Sequence, residues 1–193
     1  MILADSPTLT RLEPSHNGML MTPDEFDVID DAERGYRYEL IHGVLVVSPP
    51  AGPFHRRTGD KLGYLLRSYM EGHPQGGCID DTLPENSVIV GEDRRVCDRA
   101  IWVGLGREPD VFRDIPTIAI EIVSESARDR RRDYVDKARE YPAAGVKEYW
   151  IIDRFARELT IVLQGGTTQT LPESQPYQSP LLPGFELDLR ELL

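Results

Sequence analysis

The chain is poor in several residues that usually announce a class. Two cysteines, Cys78 and Cys97, cannot make a disulfide scaffold, so a reduced, cytoplasmic setting is the expectation. The four histidines, His16, His42, His55 and His73, are scattered without zinc-ligand spacing. No apolar run reaches membrane-spanning length, and the start MILADSPTLT lacks the charged-then-apolar layout of a secretion signal, so no membrane partner is expected. Aromatics are only 8% of residues, which is thin for the sugar platform of a two-carboxylate glycoside hydrolase. Lysine is the scarcest charge: Lys61, Lys137 and Lys147 stand alone in a chain that otherwise uses arginine.

Basic charge as a whole is also short. The net charge is −11, which argues against a nucleic-acid binder. The deficit is uneven, however. Residues 36–153 hold 17 Lys and Arg against 20 Asp and Glu, whereas the flanks hold 5 against 13. The centre is therefore close to balanced, and part of its acidity is what a metal site needs. Modest, salt-sensitive affinity for nucleic acid stays open.

What is present suffices for one domain: 193 residues, 40% of them hydrophobic. Residues 1–20 read as a loosely held tail and residues 21–193 as a single α/β, strictly α+β, unit. Thr22-Pro23-Asp24-Glu25 opens a helix expected to end near Gly35. Residues 36–41 and 44–47 are two strand segments around His42-Gly43, followed by a helix from Phe54 to Met70. Residues 78–103 read as an antiparallel set of short strands, 87–90 and 96–103 among them, with 104–116 a loop and 158–163 a further strand.

The organising stretch is Pro116 to Asp153, read as buried strand, helix, buried strand. Its first strand, Ile118 to Val123, is apolar except for Glu121. A carboxylate in such a run is costly unless something pairs with it. The helix then carries Asp133, Lys137 and Tyr141 four residues apart, on one face, before Gly145 ends it. Lys137 could simply pair with Asp133, or it could turn toward Glu121.

Glu39, Asp98 and Glu121 are three acids inside apolar strands. Hard divalent cations such as Mg²⁺ or Mn²⁺ take carboxylates together with water and substrate phosphate. A metal held by Asp98 and Glu121, supported by Glu39, could activate water at a phosphodiester while Lys137 orients that water. On this reading Lys137→Ala should abolish cleavage and leave the fold intact. His55 could contact phosphate, though capping its helix is the simpler role. Arg128, Arg130, Arg131 and Arg132 could grip a nucleic-acid backbone, and as cations at a helix start they oppose the dipole.

Ordered blocks along nearly the whole chain resemble the Uma-two family, a bacterial group of restriction-endonuclease type assigned to the PD-(D/E)XK nuclease superfamily. They are Tyr38-Glu39-Leu40-Ile41-x-Gly43, His55, Asp98, Glu121-Ile122-Val123-Ser124, Asp133-x3-Lys137-x3-Tyr141, Gly145-Val146-x-Glu148-Tyr149-Trp150 and Ser179-Pro180-Leu181-Leu182-Pro183-Gly184. The resemblance implies a restriction-endonuclease-like core, a mixed sheet flanked by helices, and Mg²⁺-dependent cleavage of DNA by a homodimer. By position Asp98 and Glu121 correspond to the metal-binding acids and Glu39 to an extra upstream acid. The superfamily lysine two residues after the second acid would be Val123 here; the family pattern moves it to Lys137. Cys97 replaces the family's proline. The other reading that the sequence allows is a catalytically silent dimeric module that binds nucleic acid or a partner.

Overall fold

The computed structural model describes residues 9–193. Ten strands and five α-helices follow in chain order. They are β1 (Arg11–Leu12), α1 (Pro23–Asp27), β2 (Asp31–Ala32), β3 (Arg37–Ile41), β4 (Val44–Ser48), α2 (Pro53–Gly72), β5 (Ile79–Val90) and β6 (Asp93–Val103). Then come β7 (Ile118–Ile122), α3 (Ala127–Arg131), α4 (Ala138–Ala144), β8 (Glu148–Asp153), β9 (Glu158–Leu163), β10 (Thr168–Pro172) and α5 (Leu189–Leu192). A π-helical turn, Arg132–Lys137, joins α3 to α4.

The expected mixed sheet flanked by helices is present. Eight strands run in the order β10-β9-β8-β7-β6-β3-β4, with β5 on the other edge of β6. Only β7 and β8 pair in parallel within it. Alternate residues of the central strands feed two cores, as a period of two requires. Ile118, Ile120, Ile122, Trp150 and Ile152 pack with Leu62, Leu66 and Tyr69 of α2 and with the C-terminal segment. Ala119, Tyr149 and Ile151 pack with Tyr141 of α4 and with Trp102. Tyr149 and Trp150 are wholly buried, as core residues.

Several local expectations needed correction. α1 stops at Asp27 instead of near Gly35. Asp27, Asp30 and Asp31 put negative charge at the end of the helix where the dipole is already negative. The loose tail expected over residues 1–20 is not seen from residue 9 onward. Leu12 is buried, β1 pairs with β2, and Gly18 and Met19 exchange backbone hydrogen bonds with Leu45. Residues 1–8 lie outside the described part. The antiparallel strands expected over 78–103 are present, but as two long ones: β5 runs unbroken from Ile79 to Val90, where a short strand from Ser87 was expected. Pro84 falls inside it, because among the described residues β5 pairs only with β6 and a proline is tolerated on an open edge. The β3–β4 turn does follow the sequence signal, with His42 and Gly43 both at positive φ (51° and 75°).

The feature that positions the site is a fork on one edge of β6. β3 pairs with β6 at Arg94, and β7 pairs with it from Arg99 to Ile101. Side chains bridge the intervening gap. Glu39 Oε1 accepts from the Val96 N–H at 2.9 Å, and Lys137 Nζ donates to the Val96 carbonyl at 2.7 Å. Asp98 Oδ2 accepts from the Ile122 N–H at 2.7 Å. Acids in apolar strands thus complete the backbone hydrogen bonding where two strands diverge.

Candidate active site

Asp98 sits on β6 and Glu121 on β7, one step beyond the paired residues Arg99 and Ile120, so the register sets them opposite each other. Both line a pocket of about 300 Å³ together with Arg37, His55, Arg128, Arg132 and Asp133. Its far wall is the Ser48 to Phe54 segment between β4 and α2.

Lys137 is brought to Glu121 by the π-helical turn, in which extra residues per turn swing the side chain inward. Its Nζ lies 2.6 Å from Glu121 Oε1 and 3.8 Å from Glu39 Oε1, with the side chain 1% exposed. The simpler alternative, pairing with Asp133, is not what forms: Asp133 faces Arg132 Nε at 3.6 Å. Tyr141 from the same face places its hydroxyl 3.4 Å from Glu121 Oε1. Burial opposes the charge on Lys137, but Glu121 and Glu39 outweigh it and hold the ammonium above its ordinary pKa. Burial lifts the Glu121 pKa well above a normal carboxyl, against the pull of Lys137 and with a further push from Asp98 and Asp133.

Asp98 is the opposite case. Burial would raise its pKa, yet the His55 hydrogen bond, Arg37 and the Ile122 N–H hold it far below the usual range. Arg37 Nη1 lies 2.7 Å from Oδ1 and His55 Nε2 lies 2.9 Å from Oδ2. His55 therefore does not cap its helix; the N-cap is Gly52, and the ring reaches over to the acid. Arg37 was missed from the sequence. The available signal was its place two residues before Glu39, on the same side of β3.

Glu39 and Lys137 stand behind the pocket and do not line it. Glu39 Oε2 is 3.7 Å from Arg132 Nη1, and the acid is held ionised, against burial, by Lys137, Arg132 and the Val96 N–H. The four arginines separate. Arg128 and Arg132 face the pocket, while Arg131 lies in an adjoining groove with Arg95 and Arg139. Arg130 is tied to Asp153 at 2.6 Å. Asp133 joins the site through a feature invisible in the sequence: its Oδ1 is buried and has no hydrogen-bond partner among the described residues. Burial raises its carboxyl to about 6, against Lys137 and Arg132. Val123, in the place of the superfamily lysine, is fully buried.

Among the described residues no three acidic, histidine or cysteine side chains form a ready-made metal cluster. The pocket does offer the Asp98 and Glu121 carboxylates and an Asp133 oxygen that makes no hydrogen bond among the described residues, all hard donors. That donor chemistry suits a divalent cation held by two carboxylates, with water and phosphate completing its shell.

A large mixed sheet flanked by helices is the architecture of a restriction-endonuclease-like core. The chain belongs to the Uma2 family, described as "Putative restriction endonuclease", whose model matches residues 23–190. Among solved structures it is similar to a putative nuclease of the DUF820 group from Anabaena variabilis. That likeness has a TM-score of 0.70 at 17% identity and covers 89% of this chain and 97% of the other. No protein of curated function matches the sequence. Among the described residues no helix is long and apolar enough to cross a membrane.

Proposed function

We propose that this protein is a Mg²⁺- or Mn²⁺-dependent endonuclease that hydrolyses DNA phosphodiester bonds. The observation that carries the reading is Lys137, a fully buried ammonium 2.6 Å from Glu121, while Glu121 and Asp98 share the wall of one arginine-rimmed pocket. Burying a lysine and an acid this deeply gains little stability over a hydrophobic pair, so another reason for keeping them is needed.

A divalent cation held by Asp98 and Glu121 would neutralise phosphate charge and lower the pKa of a bound water. The chain's own residues do the rest. Arg37 and His55 keep Asp98 ionised and fixed in direction. Lys137 acts on the pocket through Glu121, which it orients with Tyr141, and Glu39 holds the ammonium from behind. Asp133 Oδ1, which makes no hydrogen bond among the described residues, would accept a proton from the attacking water. Arg128 at the rim, with its side chain 88% exposed, and Arg131 beside it meet the nucleic-acid backbone. Cutting both strands of a duplex would call for a two-fold homodimer.

A nicking and linearisation assay on supercoiled plasmid tests this directly. Wild type with Mg²⁺ or Mn²⁺ should cut, and Asp98→Asn should be slower by about 100-fold or more. Equal rates for the two would end the proposal.

One observation favours the silent-module reading. Asp98 already has three partners and would have to share or release them to hold a cation. Calorimetric titration with Mn²⁺ in the absence of DNA separates the two, since only the nuclease needs a specific site.

A further inference from the structure

Among the described residues, one side of α2 lies beside the pocket without a partner. The helix buries Leu62, Leu66 and Tyr69 against the sheet. Its outer side carries Phe54, Arg57, Lys61 and Tyr64, spaced three, four and three residues apart, which sets them in a single row. All four are exposed, Phe54 to 60% and Tyr64 to 70%. The solvated side of an amphipathic helix calls for polar residues, so folding gives no account of an aromatic at each end of a basic pair.

The row starts at the pocket. Phe54 and Arg154 both line it. The Arg154 guanidinium lies 5.3 Å from the Phe54 ring centre and 4.3 Å from that of Phe155, on the turn between β8 and β9. The Arg57 guanidinium is 5.7 Å from the Phe54 ring. Two distant segments thus raise one aromatic–guanidinium stack at the pocket mouth. Farther along, Tyr64 borders a shallow groove with Arg56, Arg57 and Lys61, against the single acid Asp60. In a chain of net charge −11 this is a local reversal of sign.

Ring faces alternating with cations complement an unpaired nucleotide strand, whose bases stack on the rings while its phosphates meet the cations. A duplex keeps its bases stacked on one another and cannot use those faces. We infer that the α2 row and the Phe54–Arg154–Phe155 stack bind single-stranded nucleic acid. On the nuclease reading of the pocket, the preferred substrate is then an unpaired strand, flap or frayed end.

Fluorescence anisotropy in EDTA, with labelled oligothymidine and a duplex of equal length, tests the inference. Wild type should bind the single strand about tenfold more tightly than the duplex. Phe54→Ala and Tyr64→Ala should each weaken that binding roughly tenfold, Tyr64→Phe should not, and Lys61→Ala should flatten the salt slope by about 0.7. Unchanged circular dichroism and melting would show the variants folded, as expected for exposed side chains. Duplex binding as tight as single-strand binding, or both alanine variants binding like wild type, would overturn the inference. So would a dimer that Tyr64→Ala dissociates with single-strand binding intact, since the row would then face a second copy. Because no cleavage is read, a protein that binds single strands but cuts nothing leaves this inference standing and removes the nuclease. A protein that cuts DNA but binds duplex as tightly as single strands does the reverse.

Discussion

Two buried glutamates on neighbouring parallel strands, Glu121 of β7 and Glu148 of β8, are each 2% exposed, yet their surroundings differ in kind. Glu148 receives only neutral donors: Trp150 Nε1 at 2.8 Å, Tyr177 OH at 3.1 Å and Ser179 Oγ at 3.0 Å. These donors satisfy the carboxylate and tie the C-terminal segment to the sheet. Glu121 instead faces an ammonium and two further acids, and it opens on a pocket. A buried carboxylate completed by neutral donors is a structural clamp. One left amid competing charges stores unfavourable interactions, which points to a working site.

The sharpest way to break this comparison is to remove Lys137. Lys137→Ala leaves Glu121 buried without its cation and Glu39 with Arg132 alone. It should cost roughly 3–5 kcal/mol of stability in urea unfolding as well as cleavage. The lysine's depth therefore replaces the expectation that this variant leaves the fold intact. Lys137→Met with Glu121→Leu, apolar at both positions, should recover most of that stability and none of the cleavage. If Lys137→Ala melts like wild type, the charged cluster is not what the site rests on.

A smaller effect is expected at the clamp. Glu148→Ala strands three neutral donors and should cost about 2–3 kcal/mol. Cleavage per folded molecule should stay at the wild-type level. A selective loss of activity would make the two glutamates alike and cancel the contrast.

The smallest effect concerns acid. The folded pKa of Asp98 is depressed, so its contribution to stability is complete above the unfolded value near 4. That contribution is lost as pH falls through the folded value. Asp98→Asn should therefore flatten the decline of the urea midpoint below about pH 4. Parallel acid limbs for the variant and wild type would mean that Arg37 and His55 do not hold the acid as described.

Much of this molecule was readable from residue pattern. The largely apolar runs of β7 and β8, the glycine cap at Gly145 and the stripe of α2 gave the central elements to within a few residues. The acids at 39, 98 and 121 were conspicuous because each interrupts such a run. Less legible were elements whose reason lies elsewhere in space. β5 includes Pro84 because its outer edge is unpaired among the described residues, and β10 forms because β9 is there to pair with it. His55 was assigned to its own helix end because a sequence shows neighbours along the chain, while its partner Asp98 is 43 residues away.

Periodicity and composition, which act over a few residues, determined by themselves that this chain would build a two-faced sheet holding three costly carboxylates and one isolated lysine. Only the tertiary structure decided what those charges do. The divergence of β3 and β7 from β6 opens a gap, and a π-helical turn drops Lys137 into it. Which charges meet there depends on distances set by long-range strand pairing and helix packing, and no local spacing along the chain encodes them.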